Sequence, residues 1–156
     1  MSDMNHLDSE GNVHMVDVGA KTPTIRVAVA EAAVTMHEST AERLFAGELD
    51  KGDALATVRI AAIQATKQTP TLIPLCHPLS LDRVEVVVER TGSGARIEVL
   101  AGVEARTGVE MEAMTGAAIG ALTLYDMIKG IDRGASIEAI RLLEKTGGKS
   151  GEWQRD

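Results

Sequence analysis

Cys76 and His77 stand side by side in KQTPTLIPLCHPL, residues 67–79, a stretch interrupted by Pro70, Pro74 and Pro78. A thiol beside an imidazole admits three readings. As metal ligands they fall short, because structural zinc takes four protein ligands and catalytic zinc three at recognisable spacing. His6, His14 and His37 supply no such pattern, so no metal is expected. As a nucleophile, Cys76 lacks a second His or Asn motif to complete a dyad or triad. The third reading is structural, since a free cysteine generally behaves as a small buried hydrophobe. His77 is the better acid–base candidate, because an unperturbed imidazole titrates near neutrality.

Two further motifs carry charge at helical spacing, TGVEMEA (107–113) and YDMIK (125–129). Glu110 is explained by a capping box with Thr107, and Glu112 by the attraction of an acid to a helix N-terminus. Asp126 is different: near the C-terminal end of the same helix it opposes the dipole unless a cation compensates it. Lys129, one turn on, is that cation, and a solvated i,i+3 ion pair is the plain account. Glu112 and Asp126 are fourteen residues apart, hence about 21 Å along the axis. One copy of the helix cannot present both to the same few atoms of a small substrate. Either the ligand is long, or a second subunit supplies another copy. The late KTGGKSG run ends like a phosphate-binding loop, but Leu143 stands where the motif needs glycine, and no helix is expected to follow.

The elements that must position these groups fit one domain, since 156 residues build a single full core. Residues 1–12 read as a mobile tail, 13–151 as the domain, and 152–156 as a short C-terminal tail. A net charge of −7 argues against general nucleic-acid binding, although sixteen Lys and Arg leave room for a local cationic pocket. No apolar run is long enough for a membrane span, and the N-terminus has no signal-peptide pattern, so a cytoplasmic protein is expected. A single cysteine excludes an internal disulfide. Phe45, Tyr125 and Trp153 are the only aromatics, so the core must be built from small aliphatic side chains that bury little area each, and subunit association would add burial.

Valine-rich residues 25–36 read as a first strand covered on both faces. Ser39 and Glu42 suggest a capping box for a short helix stopped by Gly47. Asp53 caps a second helix, 54–67, with Lys67 in its last turn, and the proline segment follows as loop or extended chain. Residues 84–90 and 95–106 form a hairpin about TGSG. A long helix over 109–131 and a strand over 137–144 complete the order. That order is an α+β, ferredoxin-like split βαβ plan: a four-stranded antiparallel sheet with helices on one face and an extra early helix. The uncovered face again calls for an oligomer.

HMVDVGAKTPTIR, DKGDALATVRIAAIQATKQTPTLIPLCHPLSL, TGVEMEAMTGAAIGALTLYDMIKGID and RLLEKTGGKSG, spanning about His14 to Gly151, resemble the MoaC family, the cyclic pyranopterin monophosphate synthases of molybdenum cofactor biosynthesis. The combination of LIPLCHPL, TGVEMEA and YDMxK is highly specific. The resemblance implies a homo-hexamer, a trimer of dimers, with its site at a subunit interface and no cofactor or metal. It implies conversion of a 3′,8-cyclised dihydro-GTP intermediate to cyclic pyranopterin monophosphate with release of pyrophosphate, a phosphorus–oxygen lyase reaction. It assigns the catalytic acid to Asp126, pocket lysines to Lys51 and Lys129, and substrate contacts to Leu75, Cys76, His77, Met111 and Glu112. His77 would join Asp126 and Lys129 in acid–base work. Arg26, Lys67 and Lys145 match further pocket positions. Ile128, Gly130 and the run Ala117–Gly120 depart from the commoner pattern in ways that change packing rather than proton chemistry.

Overall fold

The computed structural model describes residues 6–156. Its order is β1 (Thr24–Thr35), α1 (Glu38–Ala46), α2 (Ala54–Leu72), β2 (Arg83–Thr91), β3 (Gly94–Ala105), α3 (Glu110–Ile128), β4 (Ser136–Thr146) and β5 (Trp153–Gln154). The strands form one antiparallel sheet in the order β2-β3-β1-β4-β5. Its first four strands are the ferredoxin-like arrangement expected from the sequence. The fifth is not. Residues 152–156 are therefore more than a tail: Lys145 pairs with Trp153 and Glu144 with Gln154, and the Arg155 guanidinium donates to the Leu142 carbonyl at 2.6 Å.

Alternation along β1 sets the layers. Ala28, Ala30, Ala32 and Val34 point into the core, where Ala113, Ala117 and Ala121 of α3 meet them, all fully buried or nearly so. Small residues on both sides let helix and sheet approach closely. Between α2 and α3 the approach is closer still: a Cβ added at Gly116 would lie 2.2 Å from Thr66 Oγ1, so only glycine fits there. Leu44, Ile97, Leu124 and Ile128 supply the larger fully buried side chains. Each contributes on the order of 1.5–3 kcal/mol by leaving water.

The opposite face of β1 carries no second layer, and charged side chains close over it instead. Glu31 is only 5 % exposed and accepts from Arg141 Nε at 2.7 Å and from Arg96 Nη1 at 3.4 Å. Arg96 also reaches Glu89 and Glu98, which draws three strands together across this face.

Several boundaries differ from expectation. α2 does not stop near Lys67 but continues through Pro70 to Leu72. Pro70 has no N–H for the Thr66 carbonyl, and the Thr69 hydroxyl takes that acceptor instead, at 3.0 Å, so the helix survives its proline. Asp53 caps α2 as anticipated, accepting from the Ala56 N–H at 2.9 Å. Neither capping box forms. At α1 the His37 N–H donates to Asp132 Oδ2 at 2.8 Å, so a buried carboxylate from beyond α3 replaces the local Ser39–Glu42 device. At α3, Val109 is the N-cap without a side-chain bond, and the helix runs 110–128 rather than 109–131. Of residues 1–12, read as an N-terminal tail, 6–12 fold with Val13 into a small hairpin closed by a Leu7–Val13 bridge, and the first five lie outside the described residues.

Candidate active site

Two elements bring the predicted binding residues together. After α2, Ile73 and Pro74 turn the chain, the Cys76 N–H donates to the Ile73 carbonyl at 3.1 Å, and Pro78 keeps the exit extended. This stiff connection holds Leu75, Cys76 and His77 against the first turn of α3, where Met111 and Glu112 stand. All five line one cavity of about 300 Å³. Leu79, the Thr107–Gly108–Glu110 entry to α3 and the irregular segment before β1, through Val16, Val18 and Lys21, complete its wall, and the cavity also reaches His6.

The hydrogen bonding orients His77. Its Nε2 lies 2.8 Å from the Val16 carbonyl, which can only accept, so Nε2 is the donor in this bond and Nδ1 is the ring nitrogen left uncommitted by it. Glu112 is 3 % exposed. Burial pushes its carboxyl above the usual carboxylate range; its own backbone N–H partly offsets this, and the neighbouring Glu110 charge adds to the rise. Burial likewise raises the Cys76 thiol, with Glu112 reinforcing it. Cys76 is thereby kept a neutral thiol, a poor nucleophile but a compatible wall for a heterocycle.

A second cleft, about 690 Å³, adjoins the first and shares Lys21, Thr107 and Gly108 with it. Arg26, Arg106 and Lys149 bring its cations to four. Arg26 is held in place by donating to the carbonyls of Ala105 (3.1 Å) and Arg106 (3.3 Å). Gly147 and Gly148 of KTGGKSG serve this packing. Gly148 adopts φ +73° and lies so close to the Arg26 guanidinium that a Cβ there would sit 2.3 Å from Nη1. The motif is a turn laid over an arginine, not a nucleotide loop.

Lys51, Asp126 and Lys129 form a third group at the far end of α3. Lys129 Nζ lies 2.7 Å from Asp126 Oδ1, and Lys51 Nζ donates to Asp126 Oδ2 at 3.2 Å and to the Asp126 carbonyl at 2.6 Å. Lys51 thus satisfies an unpaired C-terminal carbonyl and offsets an acid placed against the helix dipole. The two ammonium groups, Lys129 first, hold the Asp126 carboxyl below its ordinary range, and Asp126 raises Lys129 in return. Asp126 is an anion and Lys129 a cation at neutral pH.

The remaining predicted residues stay apart in a single protomer. Lys67 lies on the exposed side of α2, and Lys145 hydrogen-bonds Ser150 beside the β5 edge. Sequence reading missed Lys21, Arg106 and the pocket role of Glu110. Lys21 lies within HMVDVGAKTPTIR and so carried a signal; Arg106 and His6 carried none. Among the described residues no group of three or more His, Cys, Asp or Glu side chains could hold a metal ion.

With this geometry in view, comparison with known proteins is decisive: the profile described as "MoaC family" matches residues 15–148. The chain belongs to the MoaC family. The match covers all three groups of side chains, apart from His6 and the Lys149 end of the cationic cleft. Several relatives bear the name cyclic pyranopterin monophosphate synthase. That of Corynebacterium efficiens is 50 % identical over 98 % of this chain and 99 % of its own. That of Roseiflexus castenholzii is 53 % identical over 97 % and 98 %. That of Thermomicrobium roseum is 49 % identical over 100 % and 95 %. MoaC membership accords with the resemblance carried by LIPLCHPL, TGVEMEA and YDMIK, and the structure adds that the first two of these motifs meet while the third stands apart.

Proposed function

We propose that this chain is a cyclic pyranopterin monophosphate synthase of molybdenum cofactor biosynthesis, converting the 3′,8-cyclised dihydro-GTP intermediate to cyclic pyranopterin monophosphate and pyrophosphate. The supporting observation is a partly enclosed pocket with imidazole and carboxyl groups, adjoining a four-cation cleft in a chain whose residues 15–148 match the MoaC family. The pocket suits the heterocycle. Glu112 and Glu110 accept from its N–H edge, Leu75, Cys76 and Met111 pack its face, and His77 offers Nδ1. The cleft suits the polyphosphate, where Arg26 and its neighbours offset several negative charges in an otherwise acidic protein.

The closing step is a phosphoryl transfer, which makes the enzyme a phosphorus–oxygen lyase. A substrate hydroxyl oxygen bonds to the innermost phosphorus, the bond between that phosphorus and its bridging oxygen breaks, and pyrophosphate leaves with the bridging oxygen as the hydroxyl proton departs. Cations stabilise the leaving group. The Lys51–Asp126–Lys129 group carries the proton work with His77. Because Asp126 is anionic here, it first accepts a proton and Lys129 donates one. Lys67 and Lys145 complete the cationic surroundings from a neighbouring protomer.

Pocket and proton-transfer group stand at opposite ends of α3, so a homo-hexamer built as a trimer of dimers, with its site at a subunit interface, would bring one group of each protomer to the pocket of another. Two unpartnered surfaces support such an assembly: the open sheet face, and the outer helical faces carrying Ile60, Leu72 and Leu122 exposed. The enzyme works in the cytoplasm, where phosphorylated intermediates are retained, without a metal or cofactor. The test is direct. Purified protein given the cyclised intermediate releases one pyrophosphate per pterin formed. Tight binding without release would make it a nucleotide-sensing module and overturn the proposal.

A further inference from the structure

The N-terminal hairpin has a sequence that explains its shape. Asp8 Oδ1 accepts from the Glu10 N–H at 2.9 Å and the Asn12 N–H at 2.8 Å, its own N–H donates to the Asn12 carbonyl, and Gly11 adopts φ +84° to close the turn. These bonds hold the Asp8 carboxyl below its ordinary range, the Asn12 N–H being the largest cause. Past the turn, the His14 N–H donates to the His6 carbonyl at 3.0 Å. His6 is therefore carried back beside the strap that begins at Met15 and supplies Val16 to the pocket. The residues of the hairpin are exposed and bury no apolar core, so its folding serves no packing purpose. What it does accomplish is to place one imidazole in the lining of the pocket that His77, Glu110 and Glu112 also line. Among the described residues, the His6 ring hydrogen-bonds no protein group, whereas the Nε2 of His77 is committed to Val16.

We infer that His6 is a substrate-binding residue, closing the pocket over the heterocycle and hydrogen-bonding its exposed edge, and that Asp8 is the positioning residue that holds it there. The inference rests on the function proposed above. An imidazole fits this place because it can donate to a ring carbonyl or accept from a ring N–H while its carbons cover the face of the ring. A single neutral hydrogen bond of this kind changes affinity by roughly three- to tenfold.

The experiment measures steady-state pyrophosphate release from the cyclised intermediate by the parent enzyme, His6→Ala, His6→Gln, Asp8→Ala and the double variant. We expect His6→Ala to raise KM by about three- to tenfold with kcat little changed. His6→Gln recovers part of the loss by restoring a donor. Asp8→Ala raises KM by a similar factor. The double variant is no worse than His6→Ala alone, because Asp8 acts only through His6. Melting temperatures stay at the parent value, which separates this role from a structural one. A parent-like KM in His6→Ala, or additive losses in the double variant, overturns the inference while leaving the proposed function standing. A parent enzyme that releases no pyrophosphate removes the function itself.

Discussion

The two ends of α3 hold carboxylates under opposite physical regimes. At the N-terminal end Glu112 is buried, and the loss of water raises its pKa in spite of a helix terminus that favours negative charge. At the C-terminal end Asp126 is more than half exposed and faces an unfavourable dipole, yet two lysines depress its pKa. Desolvation wins at one end and direct charge pairing at the other. A buried carboxyl suits recognition of a neutral heterocycle, whereas an exposed ion triad suits proton exchange and contact with a charged or mobile group. The stretch of helix between them is a rigid spacer of about 21 Å, too long for one small molecule to bridge along the same protomer.

Asp126→Asn should break the C-terminal end most visibly. Product formation falls by about a hundredfold or more, the usual contribution of a positioned proton-transfer group, while assembly measured by size-exclusion chromatography is unchanged. Lys51→Ala behaves alike. Parent-like turnover in purified Asp126→Asn would remove that residue from the chemistry.

The spacer itself is the next target. Gly116→Ala forces a methyl against Thr66 Oγ1 and the Ala62 carbonyl of α2, and costs about 1–3 kcal/mol by overpacking. Chemical denaturation reads this as a lower midpoint, and an unchanged midpoint would mean that the two helices part easily.

Smaller effects separate the two ends by pH. Because the folded pKa of Glu112 is raised, its contribution to stability is greatest below its unfolded pKa and is lost as pH rises through the folded value. Glu112→Gln should therefore melt higher than the parent by roughly 2–4 °C at pH 7, with the gap closing on acidification. For Asp126 the direction reverses: its contribution is present above the unfolded pKa and lost as pH falls through the depressed folded value. With the group exposed, the effect on melting of Asp126→Asn is the smallest of the set. A variant at one end thus changes stability with pH, and a variant at the other changes turnover.

The sheet order, the Asp53 cap and the hairpin about TGSG were legible in the sequence because they follow from local rules: alternation, side-chain capping and turn chemistry. The failures share a cause. α2 outlasts Pro70 because the Thr69 hydroxyl fills the vacated bond, and α1 takes its cap from Asp132, so both depend on side chains no local pattern predicts. The pocket was legible where LIPLCHPL and TGVEMEA carried it. Arg106 and His6 were not, since a strand end and a polar terminus announce nothing until folding sets them beside a cavity.

The central claim is that the His77 pocket of one protomer works with the Lys51–Asp126–Lys129 group of another. It is tested most directly by measuring pyrophosphate release from oligomers verified to contain both Lys51→Ala and His77→Ala subunits, each inactive alone. Shared sites predict recovery well above either variant, because some pockets then combine an intact half from each subunit. Mixed oligomers as inactive as their parents would contradict the account.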